Sequence, residues 1–548
     1  MILAATGVLV AAAAAAASIL LPTGRLRAAA MLLALVLLPV LILGDQWHST
    51  QVVDLRDHIS RMVALGVAGL VAAAALAVVF RRWALLLPLA IVAVLPFRVP
   101  LHAGGDTANL LVPLYLVIAG GVLASVSRMW VTNAPRAGGA VGGTAPEDAL
   151  ATGGGGGSPA ATEPARLLPW ALAGVVVLYA VQTLYSPDFS KSLQNVCFFF
   201  VPFSLVYALL REVSWDRKLL TLVLWVIAVE AIAFVCVGTI EYVIRELFWN
   251  DQVIRSNEFH TYFRVNSIFW DPNIYGRYLA LAIVVAMSAL LWAKERKTLA
   301  LLTALVAVLW FGLALTFSQS SFAALLAGLA VLAAIRWSLS WTLGAVGAGA
   351  ILAIVIVLFA GGVSKLSPDR LNVDTGGRTN LASGGVTLFG QRPIWGYGAG
   401  SFPKAYREHI ATKKAPVSVS HTEPITVAAE QGIIGLAAYS ALLIVSLWTM
   451  GSGLLASRAG GVVGGTGPED ALATAGAGGS PAATGPARHE PSAIASRLHL
   501  TARAAILATF VALLVHTIAY ASFYEDPIVW VLMAAAASLA AVPVRDPA

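Results

Sequence analysis

Long apolar segments recur along the whole chain, separated by short polar or charged stretches. They are about 17 to 25 residues long, the length that an α-helix needs to cross a lipid bilayer. Polar residues do not alternate with apolar ones inside these segments, as they would in the strands of a membrane barrel. Because only helices and closed barrels satisfy every backbone hydrogen bond in lipid, the pattern predicts an all-α, polytopic transmembrane bundle.

The apolar segments predict about 15 spans, or about 14 if the short, proline-bounded segment near residue 90 is re-entrant. No positively charged stretch precedes the first segment, so we interpret it as a retained helix and not as a signal peptide. The predicted centres lie near residues 11, 36, 71, 90, 118, 176, 204, 230, 284, 308, 329, 350, 438, 512 and 535.

Composition favours a membrane protein over a soluble one. Hydrophobic residues make up 59% of the chain and charged residues 11%, with a mean hydropathy of +0.81. Cys197 and Cys236 both lie in apolar segments, which argues against a disulfide framework or a cysteine metal site. We expect no metal, no cofactor and no nucleic-acid partner.

Basic residues in the short loops predict the orientation, because lysine and arginine in such loops mark the cytoplasmic side of a plasma (inner) membrane protein. Counting spans places five basic groups on one side, which is therefore predicted to be the cytoplasm. They are Arg25 with Arg27, Arg81 with Arg82, Arg211 with Arg217 and Lys218, Lys294 with Arg296 and Lys297, and Arg336.

A low-complexity segment occurs twice. Residues 136–166 and 458–488 are identical at 26 of 31 positions and are rich in Gly, Ala, Pro and Ser. Such a composition cannot bury a core, so each copy is predicted to be a flexible cytoplasmic insert, with a docking tag for a cytosolic partner as the alternative. The predicted organisation is N-terminal spans in 1–135, the first insert in 136–166, a transmembrane core in 167–457, the second insert in 458–488, and C-terminal spans in 489–548.

Two long loops, 243–277 and 361–425, lie on the predicted outer side. Long loops cross the membrane regardless of charge, so a plain solvated domain is one interpretation. The other is a cationic surface that receives an anionic ligand, since residues 361–424 carry eight basic and four acidic side chains.

The first outer loop contains a candidate anion site next to a predicted helix start. Asp271-Pro272-Asn273 has the composition of a helix N-terminus, and capping alone explains Asp271 and Asn273. It does not explain Arg264, whose planar guanidinium suits phosphate oxygens. Arg264 is therefore a candidate substrate-binding residue, and Asn273 is kept as a second candidate beside it, with capping as its alternative role.

The second outer loop adds two further candidates. Its stretch GGRTNLASGGVTLFGQRPIWGYGAGSF predicts a short helix over the membrane followed by tight turns. Arg378 and Arg392 in this stretch are candidate anion-binding residues, although either could instead extend to lipid headgroups.

His421 lies just before the next predicted span, and Glu430 lies about two turns inside it. A histidine beside bound phosphates could accept a proton from a hydroxyl, so His421 is the candidate catalytic base, with a hydrogen-bonded structural role as the alternative. An unpaired carboxylate inside a span is costly, so Glu430 is expected to pair with a buried arginine or to face a substrate cavity.

Four motifs together resemble the O-antigen ligase and polymerase superfamily. They are RVNSIFWDPNIYG, LTFSQSSFAALLAGL, GGR followed by RPIWGYGAGSF, and HTEPITVAAEQGIIG, in the family order over roughly residues 170 to 450. The chain departs from the family pattern at three places. It has Gln319 where the family commonly has an arginine, and Thr422 where the family usually has an asparagine after the histidine. It also lacks the tryptophan that the family has after the arginine corresponding to Arg378.

The resemblance implies a metal-independent, inverting glycosyltransferase whose donor is an undecaprenyl-pyrophosphate-linked glycan. By that resemblance, Arg264 and Arg378 would hold the pyrophosphate and His421 would activate the acceptor hydroxyl. The implied partners are a lipid-linked oligosaccharide donor, a glycan, lipid or protein acceptor, and the membrane. The active site would face the extracytoplasmic side, in cell-surface polysaccharide biosynthesis.

Two alternative functions remain at this point. A polymerase would need the same donor site as a ligase, and one sequence does not identify the acceptor. A lipid-linked glycan flippase is the alternative from another class, but transporters commonly show repeated spans and midplane charges. Here the spans show no repeat, and the charged residues concentrate in the outer loops.

Overall fold

Helices form nearly every regular element, because a helix satisfies its backbone groups within each apolar segment. The structure is a computed structural model that describes residues 2–103, 106–132, 163–248, 250–259, 262–349, 378–410, 419–463 and 490–540. Most of both low-complexity inserts and parts of the second outer loop lie outside these residues.

The helices before the second outer loop are α1 Ile2–Leu20, α2 Arg25–Asp45, α3 Thr50–Asp57, α4 Ile59–Arg82, α5 Leu86–Val94, α6 Val112–Thr132, α7 Glu163–Thr183, α8 Phe189–Asn195, α9 Val201–Leu210, α10 Arg217–Ile244, α11 Asp251–Phe259, α12 Pro272–Trp292, α13 Arg296–Thr316 and α14 Gln319–Arg336. A π-helical turn, Val196–Phe200, joins α8 to α9. Residues 339–349 are helical up to the edge of the described part. The remaining helices are α15 Arg378–Gln391, α16 Phe402–His409, α17 Glu423–Val463, α18 Glu490–Ala519 and α19 Pro527–Ala540.

The predicted all-α class is confirmed. Twelve helices within the described residues are long and apolar enough to span a membrane, and α19 is a shorter apolar helix. Each predicted span centre falls inside a helix except residue 350, which lies outside the described residues. The segment near residue 90 forms only the nine-residue helix α5, consistent with its proline boundaries.

A small β-hairpin was not predicted. Strand β1, Val99–Ala103, pairs antiparallel with β2, Asp106–Leu110, so that Val99 lies opposite Leu110. It connects α5 to α6. The hairpin segment is too short and too polar to stand out in the sequence between two long apolar segments.

Contacts between helix termini define two opposite ends of the bundle. At one end, Arg27 near the start of α2 bonds the carbonyls of Ser18 and Ala208 and pairs with Glu212, after α9. At the other end, the hydroxyl of Ser190, in α8, bonds Asp45 of α2. We call this second end the site end, because the candidate residues described below lie there.

Helix α17 is interrupted at Gly432, whose φ is 65°, and the loop between α15 and α16 fills the interruption. The amides of Tyr397 and Gly398 donate to the carbonyls of Ala429 and Glu430 at 3.1 and 2.7 Å, and the Ile433 amide donates to the Pro393 carbonyl at 2.7 Å. The predicted tight turns therefore pair with backbone groups that the break leaves without helical partners.

Candidate functional site

Arg264 is held in the loop before α12 by bonds to its backbone and to its side chain. Asn257 bonds the Arg264 carbonyl and amide at 3.0 and 3.1 Å. The Arg264 Nε donates to the Thr316 carbonyl at 3.0 Å, and Nη2 donates to Asn273 Oδ1 at 3.2 Å. The guanidinium is thus oriented by the end of α13 and the start of α12.

Asp271 and Asn273 have different roles at the start of α12. The Asn273 amide donates to Asp271 Oδ1 at 2.6 Å, so Asp271 is the N-cap, and Pro272 follows in the first turn. The Asn273 side chain instead accepts from Arg264 and from the Ser318 hydroxyl, the latter at 2.9 Å. Capping therefore explains Asp271 but not Asn273.

A serine-rich turn between α13 and α14 continues this network. The Ser318 hydroxyl lies 2.8 Å from that of Ser321 and 3.2 Å from that of Ser320. The Ser320 hydroxyl lies 3.3 Å from Nε2 of His516, near the end of α18. Helix α18 packs against both α12 and α14, which brings His516 to the turn.

Arg378 is the first residue of α15 and reaches the end of α18. Its Nη1 donates to the carbonyl of Ala519, the last residue of α18, at 3.4 Å. The positive charge of Arg378 acts on both Arg264 and His421, and the carboxylate of Asp271 also acts on both.

His421 lies just before α17 with a left-handed backbone, φ 61°, and its ring is 6.4 Å from the ring of Tyr520. Partial burial lowers the pKa of His421 from its ordinary 6.5, the charge of Arg378 lowers it further, and Asp271 raises it. Near neutral pH, the imidazole is therefore mostly in the neutral form, which can accept a proton.

Burial also acts on Arg264. It lowers the pKa of this guanidinium, while the carboxylate of Asp271 raises the pKa and the charge of Arg378 lowers it. Two partly buried guanidinium groups that repel each other favour an anion between them, because an anion relieves both the desolvation and the repulsion.

Two of the predicted site residues have other partners. The Glu430 side chain, which is 6% exposed, accepts from the amides of Gly400 and Phe402 at 2.8 and 2.9 Å. Its described partners are thus backbone amides, and the expected pairing with a buried arginine is wrong. Arg392 is exposed, with its guanidinium 4.5 Å from the centre of the Tyr397 ring.

The last turn of α18 contributes residues to the site that were not among the predicted candidates. His516 and Tyr520 both come from this region, and their rings lie 5.8 Å apart. A histidine inside an apolar segment is itself a signal, because ionisable groups within spans commonly serve a function. That signal could have identified His516 but not its contact with Ser320.

A protein-family match covers part of the candidate site. Residues 304–440 match the family model described as O-antigen ligase. The match includes the serine-rich turn, Arg378 and His421, whereas Arg264 and His516 lie outside it. No curated protein matches the chain.

Proposed function

We propose that this chain, whose residues 304–440 match the O-antigen ligase family model, transfers or polymerises a glycan from an undecaprenyl-pyrophosphate-linked donor. The reaction takes place at the outer face of the plasma membrane, in cell-surface polysaccharide biosynthesis. The observation that carries the proposal is the convergence of Arg264, Arg378 and His421 from three separate segments at the site end.

Arg264 and Arg378 bind the pyrophosphate of the donor. Guanidinium groups bind phosphate oxygens through paired N–H donors, and these two are already held by the carbonyls of Thr316 and Ala519. As the bond between the sugar and the pyrophosphate breaks, negative charge grows on the leaving group. Fixed cations stabilise that charge without reorganising during the reaction.

His421 accepts the proton of the acceptor hydroxyl. The hydroxyl oxygen bonds to the anomeric carbon while the carbon–oxygen bond to the pyrophosphate breaks, and the pyrophosphate leaves with the electron pair. Attack opposite the leaving group inverts the anomeric centre. The lowered pKa of His421 keeps the imidazole neutral and able to act as the base.

An apolar groove suits the polyprenyl chain of such a donor. It has a volume of about 250 Å³ and is lined by residues of α5, α10, α12, α18 and α19, among them Val92, Leu224, Leu281 and Leu532. Near the site end, Leu95, Tyr278 and Ile528 also line a smaller pocket that contains Arg98 and Arg277. An apolar chain would gain burial along this groove.

Transfer assays on the detergent-purified protein test the proposal. The donor is lipid-linked glycan extracted from a strain that lacks this protein, and the acceptor is a membrane fraction of that strain. We expect Arg264→Ala and Arg378→Lys each to lower transfer on the order of 100-fold, because each removes a positioned donor to the pyrophosphate. Arg296→Lys, at the exposed start of α13, is the matched control and should retain activity.

Equal activity of Arg378→Lys and the wild type would contradict the pyrophosphate site. Transfer should also persist in EDTA, because the arginines supply the positive charge. Loss of activity on chelation would contradict the metal-independent mechanism. In the deletion strain, loss of glycan chain length would indicate a polymerase, whereas full-length lipid-linked glycan that never reaches its acceptor would indicate a ligase.

A further inference from the structure

A series of hydrogen-bonded side chains connects α18 to Arg264. His516 Nε2 lies 3.3 Å from the Ser320 hydroxyl, which lies 3.2 Å from that of Ser318. The Ser318 hydroxyl is 2.9 Å from Asn273 Oδ1, which also accepts from Arg264 Nη2 at 3.2 Å. Three helices, α12, α14 and α18, and the turn before α14 therefore meet in one polar network.

Along this series of hydrogen bonds, each side chain donates to the next one on the path from His516 to Asn273. A guanidinium has no acceptor, so the Asn273 amide must present its oxygen to Arg264. Ser318 must then donate its single proton to the same oxygen. The Ser318 oxygen is left to accept from Ser320 or Ser321. When Ser320 is the donor, its own oxygen accepts from His516.

The environment of His516 favours this direction. The residue is fully buried, at 0% exposure, and its Nδ1 has no hydrogen-bond partner within the described residues. A proton on Nδ1 would be an orphaned buried N–H, which is rare in folded proteins. The proton is therefore assigned to Nε2, where the Ser320 hydroxyl can accept it, and the backbone carbonyl of Asn273 is a second acceptor close to the ring.

Arg378 also contacts the last turn of α18. Arg378 donates to the carbonyl of Ala519, three residues after His516. The last turn of α18 thus fixes Arg378 directly and Arg264 through the serines and Asn273. It does so from outside the segment that matches the O-antigen ligase family.

We propose that His516 is a positioning residue for the pyrophosphate site, acting through Ser320, Ser318 and Asn273 on the guanidinium of Arg264. The inference rests on the proposed function. His516 does not touch the donor. It keeps the serine hydroxyls directed at Asn273. This fixes the Asn273 side-chain oxygen, and through it the orientation of the Arg264 guanidinium. Without the histidine proton, the serines reorient and the Arg264 guanidinium keeps only its bond to the Thr316 carbonyl as a firm constraint.

Binding of undecaprenyl pyrophosphate to the detergent-purified full chain tests this inference. His516→Leu should weaken binding about fivefold, the effect of one hydrogen bond worth about 1 kcal/mol. Ser320→Ala should weaken binding similarly, whereas His516→Gln, which keeps a donor, should stay within about twofold of the wild type. Thr517→Val, the matched control, removes a buried hydroxyl of α18 that bonds only its own helix in the described residues.

A double-mutant cycle separates positioning from a merely structural role. If His516 acts through Arg264, His516→Leu should have no further effect on binding in an Arg264→Ala background. The same fold loss in both backgrounds would overturn the inference. So would unchanged binding by both His516→Leu and Ser320→Ala, even if Arg264→Ala binds weakly. A wild-type protein that does not bind the probe would instead overturn the proposed function, and with it this inference.

If His516→Leu does not yield folded protein, Ser320→Ala decides the question in the same cycle with Arg264→Ala. It removes one hydroxyl from a partly exposed residue and leaves His516 in place. Loss of binding that disappears in the Arg264→Ala background supports the inference, and loss that persists there overturns it.

Discussion

Asp271 and Arg378 act on His421 in opposite directions. The carboxylate of Asp271 stabilises the protonated imidazole and raises its pKa, whereas the guanidinium of Arg378 lowers it. Burial, the largest cause, also lowers the pKa of His421. The side chain therefore holds its proton only at pH values below its ordinary range.

The pH dependence of kcat/KM follows from this balance. A general base must be neutral, so activity should fall as the pH drops through the pKa of His421, with the acid limb below pH 6.5. Asp271→Asn removes the negative charge but can still cap α12, so it should move the limb to lower pH. Arg378→Gln should move the limb of its residual activity to higher pH.

Glu295→Gln, at the opposite end of the bundle, is the control for the charge change and should leave the limb in place. A limb above pH 6.5 would argue against His421 as the base, and so would shifts of the two variants in the same direction. Both outcomes are read from pH profiles of kcat/KM, which report the free enzyme.

At the scale of elements, the break in α17 and the loop that fills it form one unit. Glu430 accepts from the amide of Gly400 in that loop and from that of Phe402 at the start of α16, and the freed carbonyls of Ala429 and Glu430 accept from two further loop amides. Gln182 of α7 donates to the carbonyl of Gln431 at 3.2 Å. Backbone groups that cannot remain unpaired in an apolar environment are therefore satisfied by two distant segments.

Gly432→Ala should destabilise this unit. The residue has φ 65°, and a Cβ there would overlap the carbonyl of Ile394. With ψ at −163°, this backbone conformation is essentially restricted to glycine and costs an L residue on the order of 1 to 3 kcal/mol, and the overlap adds to that cost. We expect a lower thermal midpoint in detergent and reduced transfer, because α17 begins two residues after His421.

Gly451→Ala in the same helix is the matched control. A Cβ at Gly451 meets nothing within 4 Å, so this substitution should be neutral or stabilising by roughly 0.5 to 1 kcal/mol. Similar thermal midpoints for the two variants would contradict the proposed importance of the break.

At the scale of the whole molecule, the two ends of the bundle carry different chemistry. The site end holds the arginine and histidine cluster, while Arg27 and Arg211 bond the C-terminal carbonyls of α1 at the other end. Cations at helix C-termini are favourable because unpaired carbonyls and the helix dipole point toward them. The same residues belong to the basic groups that predict a cytoplasmic side.

Accessibility labelling of single cysteines, in a background without Cys197 and Cys236, checks this orientation. Cysteines at positions 155 and 476, one in each insert, should label only from the cytoplasm. Cysteines at positions 256 and 413, in the outer loops, should label from outside in intact cells. Labelling of the two inserts from opposite sides would show that the number of spans between them is odd and that the predicted topology is wrong.

Much of this arrangement follows from the sequence alone. The lengths of the apolar segments predict the spans, because each helix satisfies its backbone hydrogen bonds within its own segment. Basic loops predict an orientation, which cysteine labelling tests, and glycines mark the turns between Arg392 and Phe402. Arg264, Arg378 and His421 were identified by residue type and spacing, and the structure places them at one end of the bundle.

How these residues are held depends on the packing of segments that are distant in the sequence. Hydropathy reports whether a segment enters lipid, not which helix it packs against, so it could not place His516 beside Ser320, 196 residues away. The partners of Glu430 were equally hidden, because they are backbone amides that any residue supplies. The break in α17 becomes tolerable only when the loop from Pro393 to Phe402 satisfies the freed groups, which is a property of packing and not of local sequence.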